Sequence, residues 1–191
     1  MKAPYNYIVH TDKRYVNESE SGLIVNTEIT ERDGEFVNRV GTVVAAPIYD
    51  ELNIPVGSKV IVHHNTFRRW YDVRGNEVNG SAFWNENEYV VNQDSIYAYD
   101  SGDGWVSCDK YCFVKPIEER TGLLEERRNY YGIIAIGNDK SPPVGSKIAY
   151  TPNSEYTFYI DHEKLYRVYI NDNCVLFNGL KEKETADTES L

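Results

Sequence analysis

The chain has 191 residues, 41% of them hydrophobic and 13% aromatic, with 16 tyrosines and a formal charge of −10. That length suits one large domain or two small ones, and a composition rich in Tyr, Val and Ile favours pleated strands. The acidic balance argues against nucleic acid as the main partner, since phosphate binding needs clustered Lys and Arg, and against docking on an anionic membrane.

The first strand is expected around Tyr7-Ile8-Val9, followed by a polar, Gly-terminated loop at Asn17–Gly22. Leu23-Ile24-Val25 is then an apolar island, because Asn26 to Asn38 is again mostly charged. Strands are expected at Val40–Ala46 and Lys59–His64, with a less regular stretch from Thr66 to Glu88. A strand–turn–strand follows, Glu88–Val91 and Ser95–Tyr99 around Asn92-Gln93-Asp94. Asp100-Ser-Gly-Asp-Gly104 has the composition of a short flexible linker between domains.

The second half replays this order. Tyr111–Glu118 reads as a strand, Leu123-Leu124 as a smaller apolar island before charged Glu125–Arg128, and Tyr131–Ile136 as the next strand. Further strands are expected from Ile148, at Tyr156–Ile160, at Tyr166–Ile170 and at Cys174–Phe177. The pentapeptide Pro-Val-Gly-Ser-Lys occurs at 55–59 and again at 143–147, each time behind a Gly-led apolar strand, Gly41–Ala46 or Gly132–Ile136. Matching flanks on both sides point to an internal duplication. No long 3.6-residue period occurs, so the expected fold is all-β: two tandem barrels, 1–102 and 103–179. The tail at 180–191 cannot bury enough apolar area to order itself.

Three cysteines, Cys108, Cys112 and Cys174, are an odd count that fits a reducing compartment. The opening Met1–Asn6 lacks the apolar core of a signal peptide, and no apolar run approaches the ~20 residues of a membrane span. A cytoplasmic protein is expected. Cys108 and Cys112 with His63 and His64 invite a zinc reading, but a structural site needs a further, well-placed pair; a pair of small apolar residues is the plainer account. Asp100, Asp103, Asp109 and Asp172 lack the register of a calcium loop. Arg68-Arg69-Trp70-Tyr71 could stack a base, or serve as an ordinary strand edge. His10, His63, His64 and His162 show no spacing that suggests a nucleophile. No catalytic residue, metal ligand or cofactor site is expected.

In the second half, Val114-Lys-Pro-Ile-Glu-Glu119, Thr121-Gly-Leu-Leu124, Gly132–Gly137 and Val144-Gly-Ser-Lys-Ile148 follow one another in the order of the GroES-type co-chaperonin family, which this chain resembles. The first half carries the same order more loosely, with Glu20–Val25, Gly41–Ala46 and Val56–Val60. The resemblance covers nearly the whole chain except the tail and Phe67–Asn87. Ser58 and Ser146 depart from it, standing where the family usually has Asp. The segments Ala46–Val56 and Gly137–Val144 are too short for the roof hairpin of the bacterial dome, a lack shared by phage-encoded co-chaperonins; tandem units are similar to the chloroplast co-chaperonin.

The resemblance implies GroES-like barrels, a long mobile loop at about 17–38, a shortened second loop, and assembly into a homo-oligomeric ring. It implies capping of a GroEL-type chaperonin through Gly22, Leu23, Ile24 and Val25, with Leu123 and Leu124 as a weaker counterpart. The function implied is non-enzymatic help to ATP-dependent folding of an unfolded client, such as a viral capsid protein, in the host cytoplasm if the source is a virus. The alternative is a structural or virion-associated module that kept the barrel and lost chaperonin binding.

Overall fold

Alternating apolar and polar residues build fifteen strands, and no α-helix occurs among the described residues. The computed structural model describes residues 3–12, 38–117, 130–161 and 163–177. In chain order the strands of the first half are β1 (Asn6–His10), β2 (Val40–Ala45), β3 (Lys59–Val62), β4 (Arg69–Tyr71), β5 (Glu77–Asn79), β6 (Phe83–Asn85), β7 (Glu88–Asn92), β8 (Ile96–Asp100) and β9 (Trp105–Ser107). The second half supplies β10 (Tyr111–Pro116), β11 (Tyr131–Ile136), β12 (Lys147–Tyr150), β13 (Tyr156–Ile160), β14 (Glu163–Tyr169) and β15 (Asn173–Phe177). One sheet runs β6-β7-β1-β2-β3-β8-β9 and the other β13-β14-β10-β11-β12-β15, while β4 and β5 pair as a separate ribbon. Every pairing is antiparallel.

The duplication read in the sequence is present in six strands of each sheet. Removing β9 from the first sheet leaves the strand order of the second. Even the irregularities recur: a bulge falls between Ile8 and Val9 against β2, and between Phe113 and Val114 against β11. A second bulge falls between Ile61 and Val62 against β8, and between Ala149 and Tyr150 against β15. The two Pro-Val-Gly-Ser-Lys turns are superposable in their bonding. Gly57 N–H donates to Val43 O at 2.8 Å and Gly145 N–H to Ile134 O at 2.8 Å, with φ of 93° and 89° at the two glycines. Only glycine holds that conformation without strain, which is why the pentapeptide survives as a recognisable unit.

The expected closed barrels are not what the described residues form: both sheets are open, with edges at β6 and β9 and at β13 and β15. Nor is Asp100–Gly104 a slack linker. Asp100 Oδ1 accepts the N–H of Gly102 at 2.7 Å and of Gly104 at 3.1 Å, and both glycines take positive φ. This side-chain-to-backbone bonding makes a tight hairpin that returns the chain as β9 along β8. The connections Ala46–Ile54 and Gly137–Pro142, which follow β2 and β11, contain no strand.

Instead of two separate cores, the sheets share one. Tyr7, Val9, Val60, Ile61, Phe67 and Tyr97 of the first half lie in the same buried cluster as Tyr111, Phe113, Phe158 and Leu165 of the second. The second sheet has a further cluster of its own, built from Cys112, Val114, Ile134, Ile148, Tyr150 and Val168. In each repeat a glycine lets the second strand close on the first. A Cβ at Gly41 would overlap the Val9 side chain and come within 3.0 Å of His10 O; one at Gly132 would overlap Val114 and come within 2.6 Å of Lys115 O. Gly41→Ala and Gly132→Ala are each expected to destabilise the fold by about 1–3 kcal/mol. Gly132→Ala should cost more, because the backbone obstacle lies closer, at 2.6 Å against 3.0 Å. Urea midpoints compared at unchanged slope check this; equal midpoints for Gly132→Ala and the parent would contradict the close approach.

Candidate functional site

Two places in the fold bear on function: the strand ends that flank residues 13–37 and 118–129, and the joint where the sheets meet. Residues 13–37, between β1 and β2, and residues 118–129, between β10 and β11, hold equivalent places in the two repeats. The expected binding residues Gly22, Leu23, Ile24, Val25, Leu123 and Leu124 all lie outside the described residues. Their attachment is described. Asn38 Nδ2 donates to Thr11 Oγ1 at 2.8 Å and to Val40 O at 3.1 Å, and Asn38 Oδ1 accepts the Val40 N–H at 3.0 Å. One asparagine thus ties together the described residues on either side of 13–37. At the second root Ile117 N–H donates to Tyr131 O at 3.2 Å.

The joint is built around two arginines with no acidic partner among the residues that hold them. Arg39, 8% exposed, enters from the start of β2. Its guanidinium lies 4.3 Å from the Phe158 ring centre and 5.3 Å from that of Tyr156, and Nη1 donates to Thr157 O at 2.7 Å. Arg167 of β14 lies over Tyr97 and Tyr111 at 4.8 Å each, Tyr169 at 5.0 Å and Tyr156 at 5.5 Å. The Nε of each arginine is buried without a hydrogen-bond partner. The ring faces are therefore what receives these cations, an attraction of about 0.5–2 kcal/mol per contact, larger where water is excluded. Burial lowers the pKa of Arg39.

His63 and His64 follow β3 into the same joint. Their rings lie 4.1 Å apart, and His64 stacks on Tyr156 at 5.5 Å with its Nδ1 hydrogen-bonded to the Tyr156 hydroxyl. His63 Nδ1 accepts the Asn65 N–H at 3.2 Å, which makes that nitrogen the unprotonated one. Burial, then Arg39 and Arg167, pulls His63 below the usual imidazole range. Burial, then His63, Arg39 and Arg68, pulls His64 down to about 4. Both are neutral near pH 7.

The other residues singled out by composition are placed apart. Cys108 belongs to the shared core and Cys112 to the second sheet's own cluster, both buried, and burial pushes the Cys108 thiol up to about 12. Among the described residues no three His, Cys, Asp or Glu side chains converge as metal ligands would. Asp109 pairs with Lys140 and Asp100 is engaged by its own turn. Residues 69–71, expected either to stack a base or to line an edge, form β4 of the two-stranded ribbon. No helix among the described residues is long and apolar enough to cross a membrane. The sequence reading missed the Arg39–Arg167 joint. The available signal was an arginine beside Val40 and another inside Leu165–Tyr169, in strands whose neighbours are apolar or aromatic. No protein-family model and no curated protein matches this chain.

The histidines set a pH dependence whose sign can be worked out. The unfolded chain takes up a proton at each histidine near pH 6.5, whereas folded His64 resists to about 4. Between those values the unfolded state binds more protons, so stability falls as pH falls. It is complete above about 6.5 and lost progressively toward 4. His64→Phe keeps a ring on Tyr156 and removes one titration. The slope of melting temperature between pH 6.5 and 5 should become shallower; an unchanged slope would contradict the placement of His64.

Proposed function

We propose that this chain is a co-chaperonin made of two GroES-like units, which assembles and caps a GroEL-type chaperonin through the apolar tips of its loops. The observation that carries the reading is the repeated sheet with its loops at equivalent positions. Each repeat separates its first and second strands by a polar segment holding an apolar island. A sheet of this order gives the loop a rigid root, and Asn38 narrows that root in the first repeat.

The energetics favour a tethered hook over a preformed surface. Burying each aliphatic side chain of Leu23-Ile24-Val25 yields roughly 1.5–3 kcal/mol. Fixing loop backbone costs about 1–2 kcal/mol per residue, so ordering a few residues beyond the tripeptide cancels the gain. One loop binds weakly. Several loops on one assembly bind together through effective concentration, which raises avidity by ~10²–10⁴ without new contacts. Weak single contacts also let the cap leave, as a folding cycle requires. The first loop is the principal hook, since Leu124 is followed at once by Glu125-Glu126-Arg127-Arg128. The strandless connections Ala46–Ile54 and Gly137–Pro142 leave no roof over the assembly, which suits a bulky client such as a capsid protein.

Ile24→Asp is expected to leave the melting temperature within about 1 °C, since a surface loop change is worth little, and to abolish capping. Limited proteolysis supplies the check. The free protein should be cut within Glu18–Asn38 and become protected when chaperonin and nucleotide are added, and Ile24→Asp should lose that protection. A parent protein whose cleavage is indifferent to chaperonin and nucleotide would overturn the reading in favour of a structural module.

A further inference from the structure

A guanidinium has two faces and a rim. Aromatic rings can cover the faces, but the rim carries N–H donors that only acceptors satisfy. At the joint the faces of Arg39 and Arg167 lie against rings, while the buried Nε of each has no acceptor among the described residues. Arg39 makes one bond from its rim, Nη1 to Thr157 O at 2.7 Å. The residue is 8% exposed, so bulk water has little access to the rest of that rim.

Four basic side chains gather about one ring. The Tyr156 ring centre has the Arg39 guanidinium at 5.3 Å, that of Arg167 at 5.5 Å and the stacked His64 ring at 5.5 Å, and His63 lies 4.1 Å from His64. His63 Nδ1 accepts from Asn65, so its proton sits on Nε2 and makes a further N–H donor. The charged and titratable groups that act on this cluster are bases and phenols: Arg68 ahead of β4, Tyr97 of β8 and Tyr156 of β13 beside Arg39, Arg167 and the histidines themselves. Tyr111 of β10 and Tyr169 of β14 complete the rings around Arg167. Glu155, though next to Tyr156 in the chain, acts on Tyr150. On a chain of formal charge −10, cations are thus collected in one interior place with no counterion among the described residues. Buried charge left unpaired is costly, and a small anion would remove that cost. Both histidines are half-buried, so the joint reaches solvent on their side.

We propose that the joint binds a small tetrahedral oxyanion of the phosphate or sulfate class, which enters past the histidines and accepts hydrogen bonds from Arg39, Arg167 and His63 Nε2. Such an ion accepts several charge-assisted bonds at once, the use to which guanidinium rims are best suited. It also acts on the imidazoles. The free site holds both histidines neutral near pH 7, whereas an adjacent negative charge favours the protonated ring. Binding therefore takes up a proton and tightens as pH falls. Arg39 follows Asn38, which ties Thr11 to Val40, so the bound ion also steadies the strand ends beside residues 13–37.

The test is an NMR titration of the isotope-labelled full chain that follows its arginine Nε–H signals in sulfate, with chloride at matched ionic strength beside it. Sulfate keeps its charge at neutral pH and below, so the protein alone titrates. Two arginine Nε–H signals should shift saturably with sulfate and not with chloride, and phosphate should move the same two. The affinity for sulfate should be higher at about pH 6 than at about pH 8, across the range of the imidazole. Arg167→Met keeps the stem and removes the rim; His63→Phe keeps a ring and removes the donor. Each should weaken binding by about tenfold or more, while Arg74→Met, on the exposed turn of the β4–β5 ribbon, should not. Shifts that chloride matches or that never saturate, an affinity indifferent to pH, or unaltered binding in either joint variant would overturn the proposal. The parent titration decides by itself should a variant not fold. No chaperonin is present in these measurements, so their failure and that of the capping reading are separate results.

Discussion

A guanidinium buried against two aromatic rings, with no carboxylate among the described residues holding it, couples the halves of this molecule. Arg39 crosses from the first sheet to Tyr156 and Phe158 of the second and closes the open carbonyl of Thr157. A buried cation without such partners would be costly. Here the ring faces offset part of that cost, and the same rings fill the shared core, so charge and packing are satisfied by one set of residues. Separating the sheets would leave the cation without its rings and the core without its cover. The two repeats consequently behave as one body, and the loop roots at Thr11–Asn38 and Ile117–Tyr131 are held in a fixed relation to each other.

Duplication followed by divergence explains the distribution of residue types. The turns and close approaches, which any copy of the sheet requires, are unchanged: Gly41 and Gly132, Gly57 and Gly145, and the paired bulges. What differs lies where each repeat has its own neighbour. The first repeat presents Arg39 and the histidines to the second, while the second presents Tyr130, Thr151 and Pro152 at the same places. The first repeat also extends by the β4–β5 ribbon and by β9, which lays Trp105 against Asp161 of the second repeat at 3.2 Å.

Much of this was legible from local chemistry. The Pro-Val-Gly-Ser-Lys turns announce themselves because a positive-φ glycine is needed at a defined point, and alternating apolar residues mark β1, β2, β7, β8 and β10 to β15 within a few residues. The joint was not legible, because Arg39 and Tyr156 are far apart in sequence and nothing in either neighbourhood specifies the other. Asp100–Gly104 misled for a related reason: Gly and Asp are the residues of a flexible linker and of a tight turn alike, and only the bonds from Gly102 and Gly104 to Asp100 decide between them. The short strands β6 and β9 were invisible because three residues carry too little alternation. The apolar islands at Leu23-Ile24-Val25 and Leu123-Leu124 are visible as sequence, and the equivalent strands that flank them are the part the fold adds.

The central claim is that the loops of an assembled ring engage a chaperonin together. The direct measurement is electron microscopy of the full chain mixed with a GroEL-type chaperonin and nucleotide. The account predicts a cap of several copies on the end of the chaperonin cylinder, touching each chaperonin subunit through density that leads back to the root at Thr11 and Asn38. Bare cylinders under conditions where the chain itself is folded and assembled would contradict it.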